Sequence, residues 1–581
     1  VMMKGTHTGS SNRGITIPNN KKPFVLTGDL DHPASETIID ANYRDRHFIF
    51  DGDQDSTWVI QRITLYKGKA SGSNWNSTGG SVRLNGSSSP FFKEVIFSEN
   101  KDETNQYRNG GAIRVTDRAR LLVEKCTFLN NEVISSDNSG SGGAINIEAA
   151  PINKKHYINA SIFNGNRVRA TYQVKGAAIY TNYAIDITNS VFINNSLISD
   201  ESGAEGTIAY EGPGIVKTNN GNRDGTDIYF VNNTVANNHA NTPSGGYNPI
   251  SGIYYCDWVP GSGQKSSTFY AFNNIIYGNK TNGSTDDYQV EAHCGGSVIR
   301  ADYNNIQGLA AITNAGNNST SGITKFDFST DIEPAFKDSA NGDFSLANKS
   351  LMIGSGIANW SDWGVVAPTT DLLGNARPNP SGSNPDLGAY ENSLAKSPYP
   401  PKVSGLVAKG GSGQVTLNWS ALSEADSVYK VYMSTQAFSE NSSTLLDTTT
   451  SLEFTKTGLN NAIRYYFRVT GVNKQGYEGT AAAIDITPTF SGPVWFVSKQ
   501  GNDNSGEGSQ GSPFATITHA VDHANEGDTV IVKAGTYQNE KIEIEGHTNK
   551  NIVLMSESGS SQTIIDAKNT GSEPIMRFLN D

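Results

Sequence analysis

The feature that most constrains this chain is a series of near-copies that runs from Asn109 to Asn279. Each copy joins a strand rich in small residues, such as NGGAIRV or SGGAINI, to a later strand that ends in Asn-Asn or Gly-Asn. A period of about 30 to 40 residues indicates a solenoid, a propeller or an array. One apolar residue marks each copy: Phe97, Phe128, Phe163, Phe192, Val235 and Ile276.

The pattern within each copy separates these architectures. Apolar and polar residues alternate over short segments and no helical period intervenes, which predicts two or three strands per copy. Endings in Asn-Asn or Gly-Asn indicate tight turns with left-handed backbone, whereas propeller blades need antiparallel hairpins. We therefore predict an all-β fold with a right-handed parallel β-helix over residues 1–395. We expect the terminal asparagines to form hydrogen-bonded ladders rather than a ligand site.

Length, charge and composition limit the number of modules and the kinds of partner that this chain is expected to have. The 581 residues leave room for a solenoid and further modules. The net charge is −12 and no basic cluster stands out, so nucleic acid is not an expected partner. No run of eighteen apolar residues is present, so no membrane-spanning helix is expected in this sequence.

The three cysteines allow at most one disulfide bond within the chain. Cys126 lies in an apolar strand, where a buried free thiol is expected. Cys256 and Cys294 lie one or two copies apart, and both a disulfide and two free thiols are compatible with that spacing.

A candidate cation site consists of Asp51, Asp53 and Asp55, which alternate with other residues in DGDQDS. Carboxylate oxygens in a loop are typical calcium ligands. The glycine and distal glutamate of a full calcium-binding loop are missing, so a solvated turn is the alternative. No other cofactor is required.

Two distant segments resemble each other. Residues 4–42 and 533–569 share a Gly-Thr-His or Gly-Thr-Tyr turn followed by the sequence TIIDA. This long-period repeat predicts a second β-helix near the end of the sequence. It also leads us to expect a fragment of a longer chain, with a cap before Val1, because bare strand edges are usually covered.

From Asp331 to Glu391 the repeats give way to a different pattern, ending in DLGAYE. This segment resembles the tail of bacterial surface proteins with a choice-of-anchor Q domain, which implies a C-terminal cap on the solenoid and a place at the cell surface. We expect Asp371, Arg377 and Glu391 to form structural ion pairs rather than an acid–base set. The residues that carry the resemblance are Pro334, Phe336, Asp343, Phe344, Gly354, Asp371, Gly374, Arg377, Asp386, Gly388, Ala389, Tyr390 and Glu391.

Residues 398–489 contain short strands separated by turn signals, which predicts a β-sandwich. The segment resembles a fibronectin type III module. In that resemblance Trp419 is the tryptophan of the second strand, Leu459 and Tyr465 form the tyrosine corner, and Phe467 and Val469 point inward.

The stretch from Trp495 to Tyr537 contains the segments WFVS, GNDNSG, PFATITHA and GDTVIVKAGTY. With these segments, residues 492–581 resemble the N-terminal cap and first turns of pectate-lyase-like β-helix proteins. The sequence predicts a short amphipathic helix, Ala515–Ala524, as a lid over the first turn. Asp503 and Asp528 are then cap and turn residues.

No catalytic residue can be nominated. Calcium-dependent lyases with this kind of solenoid use clustered acidic ligands and an Arg or Lys base, and glycosidases need a pair of carboxylates. The candidate charged residues show no spacing that recurs on adjacent copies: Arg114, Arg167, Arg169, Arg300, Asp186, Asp286, Asp287 and Glu291.

Two aromatic clusters suggest sugar binding instead. Tyr254, Tyr255 and Trp258 occur in YYCDW, and Trp360 and Trp363 occur in NWSDW. Exposed rings beside carboxylates suit stacking on sugars. The alternative is that the first cluster lines a loop and the second packs the tail.

These observations favour a non-catalytic extracellular or cell-surface bacterial protein, adhesin-like or structural, with polysaccharide or other cell-surface components as partners. The alternative is a secreted polysaccharide lyase or glycoside hydrolase on the same scaffold.

Overall fold

A computed structural model of the chain divides into two compact units, Val1–Pro398 and Tyr399–Asp581. The structure describes all residues except 20–21, 71–77, 104–107, 136–138, 150–153, 172–173, 200–209, 212–214, 221–226, 242–251, 259–267, 282–283, 286–288, 293–297, 309–330, 424–427, 438–443, 546–550, 567, 569–573 and 580–581.

The first unit is a parallel β-helix whose strands form three long sheets and two short ones. Sheet 1 consists of Gly5–His7, Thr37–Asp40, Thr64–Tyr66, Ile96–Ser98, Thr127–Leu129, Ile162–Asn164, Val191–Ile193, Thr234–Ala236, Ile275–Tyr277 and Asn305–Ile306. Sheet 2 consists of Ile15–Ile17, Phe48–Gly52, Val82–Gly86, Ile113–Val115, Ile145–Ile147, Ile179–Thr181, Ile215–Asn220, Ile253–Trp258 and Val290–Ala292. Sheet 3 consists of Val25–Thr27, Val59–Gln61, Phe91–Lys93, Leu122–Glu124, His156–Asn159, Ile185–Thr188, Ile228–Val231, Thr268–Phe272 and Val298–Asp302.

The short sheets lie between sheets 1 and 2 along the chain. Sheet 4 consists of Lys101–Asp102, Glu132–Ser135, Arg167–Ala170, Ser196–Ser199, His239–Asn241, Lys280–Thr281 and Ser284–Thr285, the last two antiparallel. Sheet 5 consists of Arg108–Asn109, Gly140–Ser141, Val174–Lys175 and Tyr210–Glu211. Two 3-10 turns, Ser10–Asn12 and Ala34–Glu36, lie between the first strands of these sheets. The predicted β-helix is confirmed.

The residues that marked the copies form one continuous stack inside the solenoid. Phe97, Phe128, Phe163 and Phe192 pair in register on sheet 1 and are fully buried. Their rings stack with centroids 4.8, 4.6 and 4.7 Å apart. This distance matches the separation of neighbouring strands, so each ring covers the next and the repeat interval fixes the register.

An asparagine ladder follows sheet 1, as predicted. Each side-chain amide donates to the side-chain oxygen of the next asparagine at 2.8 to 2.9 Å, and also to a backbone carbonyl of the preceding turn. The ladder ends at Gln289. Buried amides need such partners, and the fully buried members are Asn100, Asn131, Asn166, Asn195, Asn238 and Asn279.

A second ladder lies between sheets 3 and 1. Backbone N–H groups of one turn donate to side chains of the next at 2.8 to 3.4 Å. The accepting side chains are Cys126, Ser161, Ser190, Asn233, Asn274 and Asn304. Cys126 is therefore a buried free thiol, as expected, and its burial raises the pKa of the thiol to about 12.

Residues 331–398, which we call the tail, cover more of the solenoid than its last turn. Asn305 of the last described turn exchanges hydrogen bonds with the Ile332 backbone. The tail then packs on the outer face of sheet 1, where Phe344 and Leu387 join Val191 and Ile275 in apolar clusters. The sequence predicted a terminal cap; the structure shows a segment laid along the side of the solenoid. Its elements are Phe336–Asp338, Ser339–Asn341, Asp343–Leu346, Asn359–Trp360, Ser361–Trp363 and Val365–Val366.

The second unit begins with a β-sandwich of two antiparallel sheets, as predicted. Trp419, Phe467 and Val469 lie in its core, and the Tyr465 hydroxyl accepts from the Asn460 backbone at 3.0 Å, which forms the tyrosine corner. One sheet contains Val407–Gly411, Gln414–Asn418 and Glu453–Thr457; the other contains Thr444–Thr449, Val428–Ser434, Tyr465–Val472 and Ala482–Ile486.

The remainder of this unit starts a second β-helix. The helix Ile517–His523, slightly shorter than predicted, buries Ile517, Ala520 and Val521. Asp503 accepts from Thr516 just before the helix, and Asp528 accepts from the Trp495 indole, so both are cap residues as expected. The parallel strands are Val494–Val497, Thr529–Val532 and Val553–Ser556; Gly535–Gln538 and Thr563–Asp566; and Ile542–Glu545 and Met576–Leu579.

The two related segments adopt the same pairing. Gly5 pairs with Thr37 in the first β-helix, and Gly535 pairs with Thr563 in the second. The shared sequence therefore specifies the same strand register at both places.

Candidate binding surface

Sheet 3 carries an outward-facing row of aromatic and charged side chains. Alternate residues of a strand point to opposite faces, and parallel pairing in register places one outward residue from each turn in line. We call this line the tyrosine row. Its members in chain order are Tyr157, Asp186, Tyr229, Tyr270 and Arg300.

In the middle of the tyrosine row, two stacked tyrosine rings lie next to the ammonium group of Lys155. Tyr229 and Tyr270 stack with centroids 5.1 Å apart and planes at 11°. The Lys155 ammonium lies 4.1 Å from the centre of the Tyr229 ring, close enough for a cation–π interaction. Lys155 also donates to Asp186 at 3.1 Å. Because the two rings cover each other's faces, a ligand would meet their edges and hydroxyl groups.

Arg300 ends the row beside a residue of the tail. Its guanidinium carbon lies 5.9 Å from the centre of the Tyr270 ring and 5.5 Å from that of Trp363. Trp363 packs on Phe272, the next outward residue of sheet 3, with centroids 5.3 Å apart. Sheet 3 and the tail thus each contribute a ring beside the partly buried guanidinium of Arg300.

The protonation of the row follows from burial. Burial raises the pKa of Tyr157 and of Tyr229, so both hydroxyls remain protonated donors at neutral pH. Burial also raises the pKa of Asp186, although Lys155 partly opposes this shift. The backbone N–H of Tyr229 donates to the same carboxylate. Asp186 is therefore held by neighbours, which suits a structural role better than proton transfer.

Arg114, one of the predicted charged candidates, lies on sheet 2. It is 2% exposed and donates to the Thr78 hydroxyl and, at 2.8 Å, to Glu148. Its register neighbour Asn146 is fully buried and donates to Ser141. The face around Arg114 is therefore occupied by contacts within the solenoid.

The predicted aromatic clusters are mostly core residues. Tyr255 is fully buried against Phe269, with centroids 5.4 Å apart, and Tyr254 is 8% exposed. The side chain of Trp258 lies outside the described residues. Tyr254 and Tyr255 provide no open ring face for a sugar. The role of the three residues as ligand contacts stays a prediction from the sequence.

The second cluster divides between two roles. Trp360 is 7% exposed and packs on Phe272 with centroids 4.0 Å apart, which matches the alternative that it packs the tail. Trp363 is partly exposed and reaches Tyr270 and Arg300. Trp363 alone joins the tyrosine row.

The candidate cation ligands have other partners. Asp51 accepts from Asn85 at 2.8 Å, and Asp55 accepts from the backbone and hydroxyl of Thr57. Asp53 is exposed. Among the described residues no group of three or more acidic, His or Cys side chains is gathered to hold a metal ion. A calcium site at these positions stays a prediction from the sequence.

The other predicted candidates are scattered. Arg167 forms an ion pair with Glu132 of the neighbouring strand on sheet 4. Arg169 lies on the same strand as Arg167. Asp186 and Arg300 both lie in the tyrosine row, separated by Tyr229 and Tyr270. Asp286, Asp287 and Cys294 lie outside the described residues, as do the side chains of Glu291 and Cys256.

In the tail, the predicted ion pair is present. The Nε atom of Arg377 lies 3.3 Å from Glu391, and both side chains are fully buried. Asp371 accepts from the backbone of Glu391. This supports the structural interpretation of the three residues.

Sequence reasoning missed Lys155, Tyr157, Tyr229 and Tyr270. A signal existed, because Tyr229 and Tyr270 are separated by the same interval as the copies NNTVANN and NNIIYGN that follow them. Aligning the residues three positions before each Asn-Asn pair would have placed both rings on one face.

In the described part of the chain, no helix has the length and apolar character needed to cross a membrane.

Comparisons with known proteins each match a limited part of the chain. Residues 499–553 match a family described as a protein of unknown function, DUF1565. A stretch of 109 residues is 37% identical to a Kelch domain-containing protein, SSO1033, of Saccharolobus solfataricus. That stretch covers 18% of this chain and spans only 14% of the curated relative's length.

Solved structures that resemble the chain include fibronectin type III domains. An Fn3-like protein from Clostridium thermocellum is 28% identical, with a TM-score of 0.13, and the match covers 15% of this chain and 90% of that one. The protein FN3tt is 23% identical with a TM-score of 0.14, covering 15% and 94%. A fibronectin type-III domain of the human fibronectin type III domain containing protein 3 is 21% identical with a TM-score of 0.15, covering 16% and 88%.

Proposed function

We propose that this chain is a non-catalytic extracellular repeat protein of a bacterial cell surface, adhesin-like or structural, that binds polysaccharide through the tyrosine row. The parallel β-helix is a long rigid scaffold, the sandwich is a spacer, and the tail's resemblance to choice-of-anchor Q proteins supports a surface location.

The observation that carries the proposal is the arrangement of Tyr229, Tyr270, Arg300 and Trp363. Polar groups at the solenoid corners pair with one another through the two ladders. On sheet 3, in contrast, rings, hydroxyl donors and a guanidinium beside two rings lie on one outward face, where Tyr229, Arg300 and Trp363 are partly exposed and Tyr270 is 9% exposed. Rings and hydrogen-bond donors on one face suit a hydroxylated polymer.

The same geometry disfavours catalysis within the row. A glycosidase needs two carboxylates across the scissile bond, one of them as an acid. Asp186 is instead bound to Lys155 and to the Tyr229 backbone. A lyase or hydrolase with this scaffold remains the competing function, and the same experiment tests it.

The experiment is affinity electrophoresis of the full chain in gels that contain either a neutral polysaccharide, hydroxyethyl cellulose, or an acidic one, polygalacturonate. We expect retardation in at least one gel, with no new reducing ends and no unsaturated products in parallel incubations. Product formation would identify an enzyme instead. Absence of retardation in both gels would contradict polysaccharide binding through this surface.

A further inference from the structure

The turn from sheet 3 to sheet 1 is made by one residue in left-handed conformation in each copy. In three consecutive turns this residue is asparagine: Asn189, Asn232 and Asn273 have φ of 50°, 55° and 54°, and Tyr303 with φ of 51° follows them. The earlier turns have other residues there: Arg62, Glu94, Lys125 and Ala160. Asparagine tolerates this conformation better than most residues, but the tail provides a second reason for its presence.

All three asparagines, called the corner asparagines below, hold the tail. Asn189 donates to the Thr370 carbonyl at 2.8 Å. Asn232 donates to the carbonyl oxygens of Asp386 and Gly388 at 3.0 and 3.3 Å. The corner asparagines are 0 to 1% exposed, so these hydrogen bonds are shielded from water.

Asn273 makes the most complete contact. Its amide donates to the Ile357 carbonyl at 2.8 Å, and its side-chain oxygen accepts from the Ile357 N–H at 3.0 Å. Its backbone carbonyl also accepts from Gly388 at 2.7 Å. A side chain with both a donor and an acceptor is needed for this pairing, and glycine, which also adopts left-handed backbone, would lack it.

Ile357 lies two residues before the hairpin that carries Trp360 and Trp363. Asn273 follows directly after Phe272, on which both tryptophans pack. The paired contact at Ile357 therefore fixes the base of the hairpin close to the end of the tyrosine row. From there Trp363 reaches Tyr270 and Arg300.

We propose that the corner asparagines are positioning residues that dock the tail, and that the docked hairpin is one wall of the polysaccharide site. The tail is then part of the binding surface and not only a cover for sheet 1. The inference that the hairpin is a wall of the site rests on the proposed function. The inference that the corner asparagines dock the tail does not.

The test compares three variants of the full chain: Asn232→Gly, Asn273→Gly and the control Asn237→Gly. Asn237 has φ of 54° at the opposite corner and makes no hydrogen bond to the tail among the described residues. Glycine keeps the left-handed backbone in all three. Both corner variants lose their contacts with the tail and also the hydrogen bond of 3.2 Å that Asn273 donates to Asn232. Hydrogen exchange is measured in peptides that cover residues 354–366 and 385–391.

We expect exchange in these tail peptides to accelerate on the order of tenfold or more in Asn232→Gly and Asn273→Gly, because buried hydrogen bonds are lost. The control should match the parent. Retardation by the polysaccharide that binds the parent should fall by a similar factor in the first two variants only.

Unchanged tail exchange in both corner variants, relative to the control, would overturn the docking role. Faster exchange with undiminished retardation would overturn the hairpin's role as a wall. If the parent binds neither polysaccharide, the proposed function fails, and the exchange data still decide whether the corner asparagines dock the tail.

Discussion

Asn131 donates its side-chain amide to the side-chain oxygen of Asn166 at 2.9 Å, and both residues are fully buried. Asn166 in turn donates to Asn195 and to the Phe128 carbonyl. Each amide is therefore both donor and acceptor to adjacent turns, and the ladder joins six asparagines without a water-exposed member.

The ladder predicts that Asn166→Ala strongly lowers the stability of the turns next to it. The substitution removes the acceptor of the Asn131 backbone N–H and of one side-chain N–H of Asn131, and it removes the amide that donates to the Phe128 carbonyl. A buried group left unsatisfied costs about 1–3 kcal/mol. Hydrogen exchange should accelerate in the adjacent turns. The control is Asn164→Ala, whose side chain accepts from Asn194 in an exposed pair. Equal effects of the two substitutions would contradict the role of the buried ladder.

The phenylalanine stack predicts that Phe128 stabilises the solenoid and not the sandwich. Its ring lies between Phe97 and Phe163. Phe128→Ala should destabilise the first unit by about 3–5 kcal/mol, because a cavity replaces the ring, and Phe128→Asp should cost more because it buries a charge. Exchange should rise in solenoid peptides while peptides from 407–486 remain unchanged. A similar rise in both units would count against this account.

Two buried histidines predict a loss of stability in acid. Burial lowers the pKa of His47 and of His156 from 6.5 to about 4. Both are neutral in the folded chain, so their contribution is present above pH 6.5, the unfolded value, and is lost as pH falls towards 4. The unfolding midpoint in urea should decrease over this range.

The control for the acid prediction is His156→Gln. This variant removes one of the two groups that resist protonation, so its urea midpoint should depend less steeply on pH between 6.5 and 4 than that of the parent. An identical pH dependence would show that His156 does not contribute to acid sensitivity.

The interior of the solenoid was predictable because two signals agree. Alternation within a strand distinguishes inward from outward residues, and the interval between copies sets the register, so the positions of Phe128 and the ladder asparagines followed directly. The position of Tyr465 in the tyrosine corner was also predictable, because the residues of this motif are close in sequence and Tyr465 has a fixed spacing to Leu459.

The tail and the tyrosine row were harder to predict for a physical reason. The tail has no period, and its course depends on single contacts such as that between Asn273 and Ile357, which are distant in sequence. Tyr229 and Tyr270 are outward residues whose partners Lys155, Arg300 and Trp363 come from other turns and from the tail, so the pattern of their own strands does not specify them. Tyr255 and Trp360 are buried, which composition alone does not reveal.

The most direct test of the central claim is the retardation of Tyr229→Ala and Tyr270→Ala in polysaccharide gels, compared with Tyr66→Ala. Tyr66 is a suitable control because it also carries a lysine over its ring, Lys67 at 4.7 Å, but lies on sheet 1. We predict that the two tyrosine-row variants lose retardation on the order of tenfold, from the 1–3 kcal/mol expected for a buried hydrogen bond or ring contact, while Tyr66→Ala binds like the parent. Equal retardation of all three variants and the parent would contradict the assignment of the binding surface to the tyrosine row.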